Sequence, residues 1–162
     1  MRNNTLKEYK KAIKNKYEIE KEREYFDYLY SPSRGKLRDF CWLIFEGNPT
    51  KDDLNVFKNL FSLDFDHTKK KKFKEQKDKF RPIETFFKGE TDPSNIDAIN
   101  MAAILVDFQP RPFKKFNEKY RSEHEKQIKS ADKIKRIGVE NEKPGKYLKQ
   151  RNLFLRFCSY LF

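Results

Sequence analysis

The sequence contains little cysteine and histidine, with two of each among 162 residues. Neither Cys41 nor Cys158 belongs to a C-x-x-C pair or to a Cys/His cluster, so the chain predicts no disulfide framework and no zinc site. Both cysteines lie in apolar runs, which favours buried thiols in a reducing compartment.

Motifs of known enzyme classes are also missing. The chain has no glycine-rich phosphate loop, no H-E-x-x-H and no G-x-S-x-G. Asp64, Asp66 and His67 are close in sequence, but their spacing gives no complete ligand or acid–base set and is more typical of a helix exit. We therefore predict a non-enzymatic protein that carries no cofactor and no metal.

Long apolar runs are absent as well. No run approaches the roughly 20 residues that a membrane-spanning helix needs. The first residues are polar and lack the apolar centre of a secretory signal peptide. These absences predict a cytoplasmic protein without a membrane span.

Charge, by contrast, is plentiful and unevenly distributed. The net charge is +12, and 38% of the residues are charged. Residues 69–81 hold eight basic and two acidic side chains, and residues 117–151 hold eleven basic and six acidic ones. Such segments favour a polyanion partner, with nucleic acid first and an anionic membrane surface second, although lysine also serves solubility.

Helical spacing of apolar residues recurs along the chain, with capping residues and proline or glycine stops between the helical stretches. It predicts an all-α fold: a small orthogonal helical bundle of about five to six helices, with a long charged N-terminal helix and a basic C-terminal helical arm. We expect a charged N-terminal helix (1–30, a lid or an arm), a helical core domain (31–116) and a basic helical arm with an apolar C-terminal tail (117–162).

Two local expectations are specific. Residues 5–29 should form one helix, because they contain no glycine or proline. Thr50 should cap a helix with Asp52 and Asp53 in its first turn, and the buried stripe of that helix should begin at Leu54.

The segment Ile83–Leu105 contains a short helix, a turn at Gly89, a cap at Ser94 and the start of a buried helix over Asn95–Phe108. This order resembles the last part of a repressor-type helix-turn-helix domain. The upstream half departs from that pattern, because no glutamine-initiated helix with a tight turn precedes it. The resemblance implies the following base-facing positions: Lys79, Arg81, Glu84, Thr85 and Lys88.

The lysine-rich run predicts phosphate contacts, because lysines neutralise phosphates and release counterions. We therefore predict a nucleic-acid-binding accessory or regulatory protein, for DNA or RNA. The candidate contact residues are Lys69, Lys70, Lys71, Lys72, Lys74, Lys77, Lys79, Arg81, Lys88, Arg111, Lys114 and Lys115. The alternative is a protein-interaction module, an adaptor or inhibitor of the kind a phage or mobile element carries, acting through its aromatic surface or the apolar tail 152–162.

Overall fold

The structure is a computed structural model that describes residues 2–137. Within this range it contains eight α-helices, two 3₁₀ segments and no β-strand. The helices are α1 (Arg2–Glu20), α2 (Phe26–Leu29), α3 (Arg34–Glu46), α4 (Lys51–Phe61), α5 (Lys70–Lys74), α6 (Arg81–Phe87), α7 (Ile96–Leu105) and α8 (Phe113–Ile137). The all-α prediction is confirmed, with more helices than the about five to six expected.

Helix α7 lies at the centre of the bundle and contacts α1, α3, α4 and α6. All residues from Ala98 to Leu105 are buried, as expected of a helix that is apolar on nearly every side. Its cap is Asn95, whose side chain accepts a hydrogen bond from the Asp97 amide at 3.0 Å, rather than Ser94. The helix ends at Leu105, earlier than predicted, and Asp107 then adopts a positive φ of 53°.

The single helix expected over residues 5–29 is in fact α1 followed by a turn and α2. The apolar stripe of α1 is buried at Tyr9, Ile13 and Tyr17. The Tyr17 hydroxyl donates to the Leu29 carbonyl at 2.7 Å, so the chain folds back on α1 instead of continuing it. A tertiary hydrogen bond therefore overrides the helical propensity of the charged residues between the two helices.

Local capping chemistry fixes the starts of α3 and α4. The Ser33 hydroxyl accepts from the Lys36 amide, and Thr50 forms a reciprocal capping box with Asp53. The expectation that Leu54 is buried was wrong: it is 38% exposed, and Val56 takes its place in the core. Cys41 on α3 is a buried free thiol, and burial raises its pKa.

The chain divides into two compact units, Met1–Phe116 and Asn117–Phe162. Residues 1–30 thus belong to the same unit as residues 31–116. The second unit contains α8 from Asn117 onward, where Ile128 and Ile134 are more than half exposed. Its apolar tail, 152–162, lies outside the described residues. None of the described helices is both long and apolar enough to cross a bilayer.

Candidate nucleic-acid interface

The lysine segment, residues 69–81, folds as α5, a turn, and the 3₁₀ segment Lys77–Phe80 that leads into α6. This polar stretch has few apolar side chains that can pack against the rest of the protein. Phe73 and Phe80 are the two that do, with exposures of 1% and 0%. The backbone is therefore attached to the protein at two buried points.

Both rings enter an aromatic cluster formed by α3 and α4. The Phe73 ring centroid lies 5.2 Å from that of Trp42 and 5.4 Å from that of Phe57. Phe61 contacts both anchors, at 5.1 Å from Phe73 and 5.3 Å from Phe80. Aromatic pairs are favourable at about 4.5–7 Å between centroids, so the cluster holds the lysine segment in a defined position.

The basic side chains of the segment lie on its outer surface. Lys69 is half-buried, and the following are exposed: Lys70, Lys71, Lys72, Lys74, Lys77, Lys79 and Arg81. None of the eight forms an ion pair with another residue in the described part of the chain. One of the two acids in the segment, Asp78, is paired instead with Arg34 of α3 at 2.9 Å. Lys70 Nζ lies 6.0 Å from the centre of the Trp42 ring.

The remainder of the first unit is electrically balanced. Outside the lysine segment, residues 1–116 hold 17 basic and 17 acidic side chains. Many of them form pairs, such as Lys10 with Asp92 at 2.9 Å and Lys16 with Glu20 at 2.8 Å. The excess positive charge of this unit therefore comes from the segment whose cations have no carboxylate partner in the described structure.

Four predicted contact residues lie outside the lysine segment. Lys88 is paired with Glu84 at 2.9 Å, and Lys115 is paired with Asp52 at 2.5 Å. Lys114 is exposed and forms no ion pair with a described residue. A phosphate at Lys88 or Lys115 would compete with a carboxylate that is already bound, whereas Lys114 resembles the lysine segment.

Arg111 is placed inside the fold. Its Nε and Nη2 each donate to an Asp53 carboxylate oxygen at 3.0 Å, and Nη1 donates to Asp107 at 2.8 Å. Burial alone would lower the pKa of Arg111, but the hydrogen bonds to both carboxylates hold it above its ordinary value. Since these donors are used within the protein, we omit Arg111 from the phosphate-binding set.

Two of the base-facing positions implied by the helix-turn-helix resemblance are also engaged within the protein. Glu84 contacts Arg34 at 3.5 Å. The Thr85 hydroxyl lies 2.6 Å from that of Thr91 and within 3.1 Å of the Arg81 carbonyl. The Glu84 contact joins α6 to α3, and the Thr85 contacts hold the turn after α6. Both occupy polar atoms that base recognition would need.

Asp64, Asp66 and His67 belong to no cluster of metal-ligating side chains, and the described residues contain none. Asp64 pairs with Lys58 at 3.4 Å. The Asp66 side chain accepts from the Thr68 amide at 3.0 Å, and this hydrogen bond lowers the pKa of the Asp66 carboxyl. Asp64 thus forms an ion pair with α4, and Asp66 caps the start of the 3₁₀ segment His67–Lys69.

The structure also contains a groove with a mixed polar and apolar lining that the sequence did not indicate. The groove has a volume of about 510 Å³ and includes Leu43 and Ile44 of α3 and Val106 after α7. Leu43 is 44% exposed, and the carboxylates of Glu24 and Asp107 lie among the lining residues. The sequence signal was weak, because these residues come from segments far apart in the chain.

Comparison of the chain with protein families, with characterised proteins and with solved structures finds no match. The functional interpretation therefore depends on the geometry and electrostatics of the site.

Proposed function

We propose that this protein binds nucleic acid, as a non-enzymatic accessory or regulatory protein of the cytoplasm, through phosphate contacts of the lysine segment. The observation that supports this best is the contrast in charge pairing. Cations elsewhere in the first unit are balanced by an equal number of acids, whereas the eight in residues 69–81 have no ion-pair partner among the described residues.

Unpaired, exposed lysines suit phosphate binding for a physical reason. Each phosphate that they neutralise releases condensed counterions, and no intramolecular ion pair has to break first. The two buried anchors, Phe73 and Phe80, limit the backbone motion that binding would otherwise have to restrict. The strongest contact set is therefore the lysine segment, with Lys114 as an additional exposed cation.

The test is binding of the full chain to DNA and RNA over a range of salt concentrations. We expect affinity to fall steeply between about 50 mM and 200 mM salt. The double variant Lys72→Glu/Lys74→Glu should bind at least tenfold more weakly at low salt. Its slope of log affinity against log salt should be smaller in magnitude by about 1.8 for duplex DNA or about 1.4 for a single strand, for two lost phosphate contacts.

A matched control changes the net charge equally at a different place. Lys7 and Lys51 are exposed and form no ion pair with a described residue. The variant Lys7→Glu/Lys51→Glu should keep the wild-type salt slope. Equal effects of the two variants would show that only net charge matters, and absence of binding at about 50 mM salt would refute the proposal.

The groove favours a second candidate function, a protein-interaction module. The exposed Leu43 side chain beside the carboxylates of Glu24 and Asp107 fits a basic amphipathic partner segment. In that case Leu43→Asp should abolish partner binding and leave the nucleic-acid affinity of the chain unchanged, because Leu43 lies outside the lysine segment. An affinity for nucleic acid that falls with Leu43→Asp as well would argue against two separate surfaces.

A further inference from the structure

The largest exposed rings of the first unit lie just before α3. Phe26 is 47% exposed and Tyr30 is 54% exposed. Their rings stack on each other, with centroids 4.6 Å apart and planes inclined by 25°. The neighbouring rings of Tyr25 and Tyr28 rest on Phe40 instead. Phe26 and Tyr30 thus form a stacked pair with a large solvent-exposed area, which we call the ring pair.

The first turn of α3 connects the ring pair to the lysine segment. Lys36 Nζ donates to the carbonyl of Ser31, the residue after Tyr30, at 3.2 Å. The adjacent Gly35 packs against the lysine segment, where a Cβ at this glycine would lie 3.9 Å from Lys77 Cε. The residue that follows the ring pair and the Lys77 side chain therefore both contact the first turn of α3.

A second contact fixes the lysine segment against the same helix. One turn further along α3, Arg38 Nη1 donates to the Lys74 carbonyl at 3.4 Å. This contact involves the Lys74 carbonyl and not its side chain. The ammonium groups of Lys74 and Lys77 are therefore exposed and form no ion pair with a described residue. The lysine segment and the residue after the ring pair thus both contact α3.

Cations beside exposed aromatic rings are what single-stranded nucleic acid requires. Its phosphates bind to the basic side chains and its unpaired bases stack on the rings, whereas a duplex keeps its bases stacked within the helix. We propose that the ligand of the lysine segment is single-stranded nucleic acid, with phosphates at Lys74 and Lys77 and a base stacked on the ring pair. This inference rests on the proposed function.

The experiment separates the two kinds of contact with matched ligands. The full chain is titrated with a single strand of about 15 thymidine nucleotides, with an abasic strand of the same length, and with a duplex of mixed sequence. We expect the intact strand to bind about tenfold or more tightly than the abasic strand, because stacking requires bases. We also expect it to bind more tightly than the duplex.

Substitution of the rings should remove this preference. In Phe26→Leu/Tyr30→Leu, the intact and abasic strands should bind alike, with the wild-type salt slope, since the side chains stay apolar and the cations are untouched. Tyr25→Leu is the control, because it removes a partly exposed ring that packs on Phe40 instead of belonging to the ring pair. This variant should still bind the intact strand more tightly than the abasic strand. The comparison of ligands on the wild-type chain needs no variant and does not depend on how the substitutions affect folding.

The outcomes distinguish the inference from the proposed function. Equal binding of intact and abasic strands by the wild-type chain, or tighter binding of the duplex, would overturn the single-strand inference while phosphate contact stands. An unchanged preference in Phe26→Leu/Tyr30→Leu would overturn the assignment to the ring pair. Failure to bind any of the three ligands would overturn the proposed function, and the inference with it.

Discussion

At the scale of single residues, Asp53 has two roles. Its carboxylate closes the capping box with Thr50 at the start of α4, and it accepts two hydrogen bonds from Arg111. Both side chains of the ion pair are nearly buried, at 5% and 10% exposure. Burial alone would raise the pKa of Asp53, but Arg111 and Thr50 together hold it below its ordinary value.

The first prediction concerns this pair. Asp53→Asn should lower the free energy of unfolding by about 3 kcal/mol, because it removes the negative charge opposite the nearly buried Arg111 and replaces one of the two acceptor oxygens with an NH2 donor. Urea unfolding followed by circular dichroism measures the change. The matched control is Asp52→Asn in the same helical turn, whose partner Lys115 is exposed, and it should cost less than about 1 kcal/mol. Equal costs would contradict a special role for the buried pair.

The same variant should change the acid sensitivity of the protein. Because the pKa of Asp53 is lower in the folded protein than in the unfolded chain, its contribution to stability is complete above about pH 4 and is lost as pH falls through the folded-state value. Below about pH 4 the wild-type chain should therefore lose stability more steeply than Asp53→Asn. Parallel curves would show that Asp53 does not carry this linkage.

At the scale of elements, the lysine segment depends on two phenylalanines. A run with this many lysines predicts either a solvated helix face or a loop, and α5 has only five residues. Short helices are marginal in water without tertiary contacts. The fixed position of the segment therefore comes from the packing of Phe73 and Phe80 in the aromatic cluster, rather than from helical propensity.

The second prediction tests this dependence. Phe73→Ala should lower the free energy of unfolding by about 3–5 kcal/mol, because it removes a fully buried ring and leaves a cavity beside Trp42. Phe73→Leu keeps most of the volume and should cost clearly less. Amide hydrogen exchange in α5 should accelerate more in the alanine variant than in the leucine variant. Unchanged exchange in both would contradict the role of Phe73 as an anchor.

Elements fixed by local chemistry could be predicted from the sequence, and those fixed by tertiary contacts could not. The cap at Thr50 and the positive φ at Gly89 follow from short-range rules, and both are present. The break after α1 depends on the hydrogen bond from Tyr17 to Leu29, which a helical pattern does not reveal. For the candidate site, the sequence shows where cations are but not which have partners, so Arg111 could not be separated from the exposed lysines.

At the scale of the whole molecule, the hydrophobic core of the described chain lies within the first unit. Every buried hydrophobic residue of the described chain lies at or before Phe116. The last part of this core in the chain is the first turn of α8. There the buried Phe116 ring lies 5.0 Å from the Tyr9 ring, and the half-buried Phe113 ring lies 5.5 Å from it. The first unit should therefore fold without the residues that follow.

The third prediction is that residues 1–120, which contain every buried hydrophobic residue of the described chain, unfold in a single cooperative transition in urea. Residues 1–108 serve as the control: they lack Arg111, Phe113 and Phe116 and should be several kcal/mol less stable than residues 1–120, as expected for loss of a nearly buried ion pair, one buried ring and one half-buried ring. Equal stability of the two fragments would show that these residues do not complete the core.

The position of Trp42 beneath the lysine segment gives the protein an internal optical probe. It is the single tryptophan of the sequence, its ring lies 5.2 Å from Phe73, and Lys70 Nζ lies 6.0 Å from its centre. A cation near an indole shifts its emission, so a ligand that draws Lys70 away would change the intrinsic fluorescence without any attached dye. The surface proposed to bind phosphates is therefore one whose occupancy the unmodified protein can report in real time.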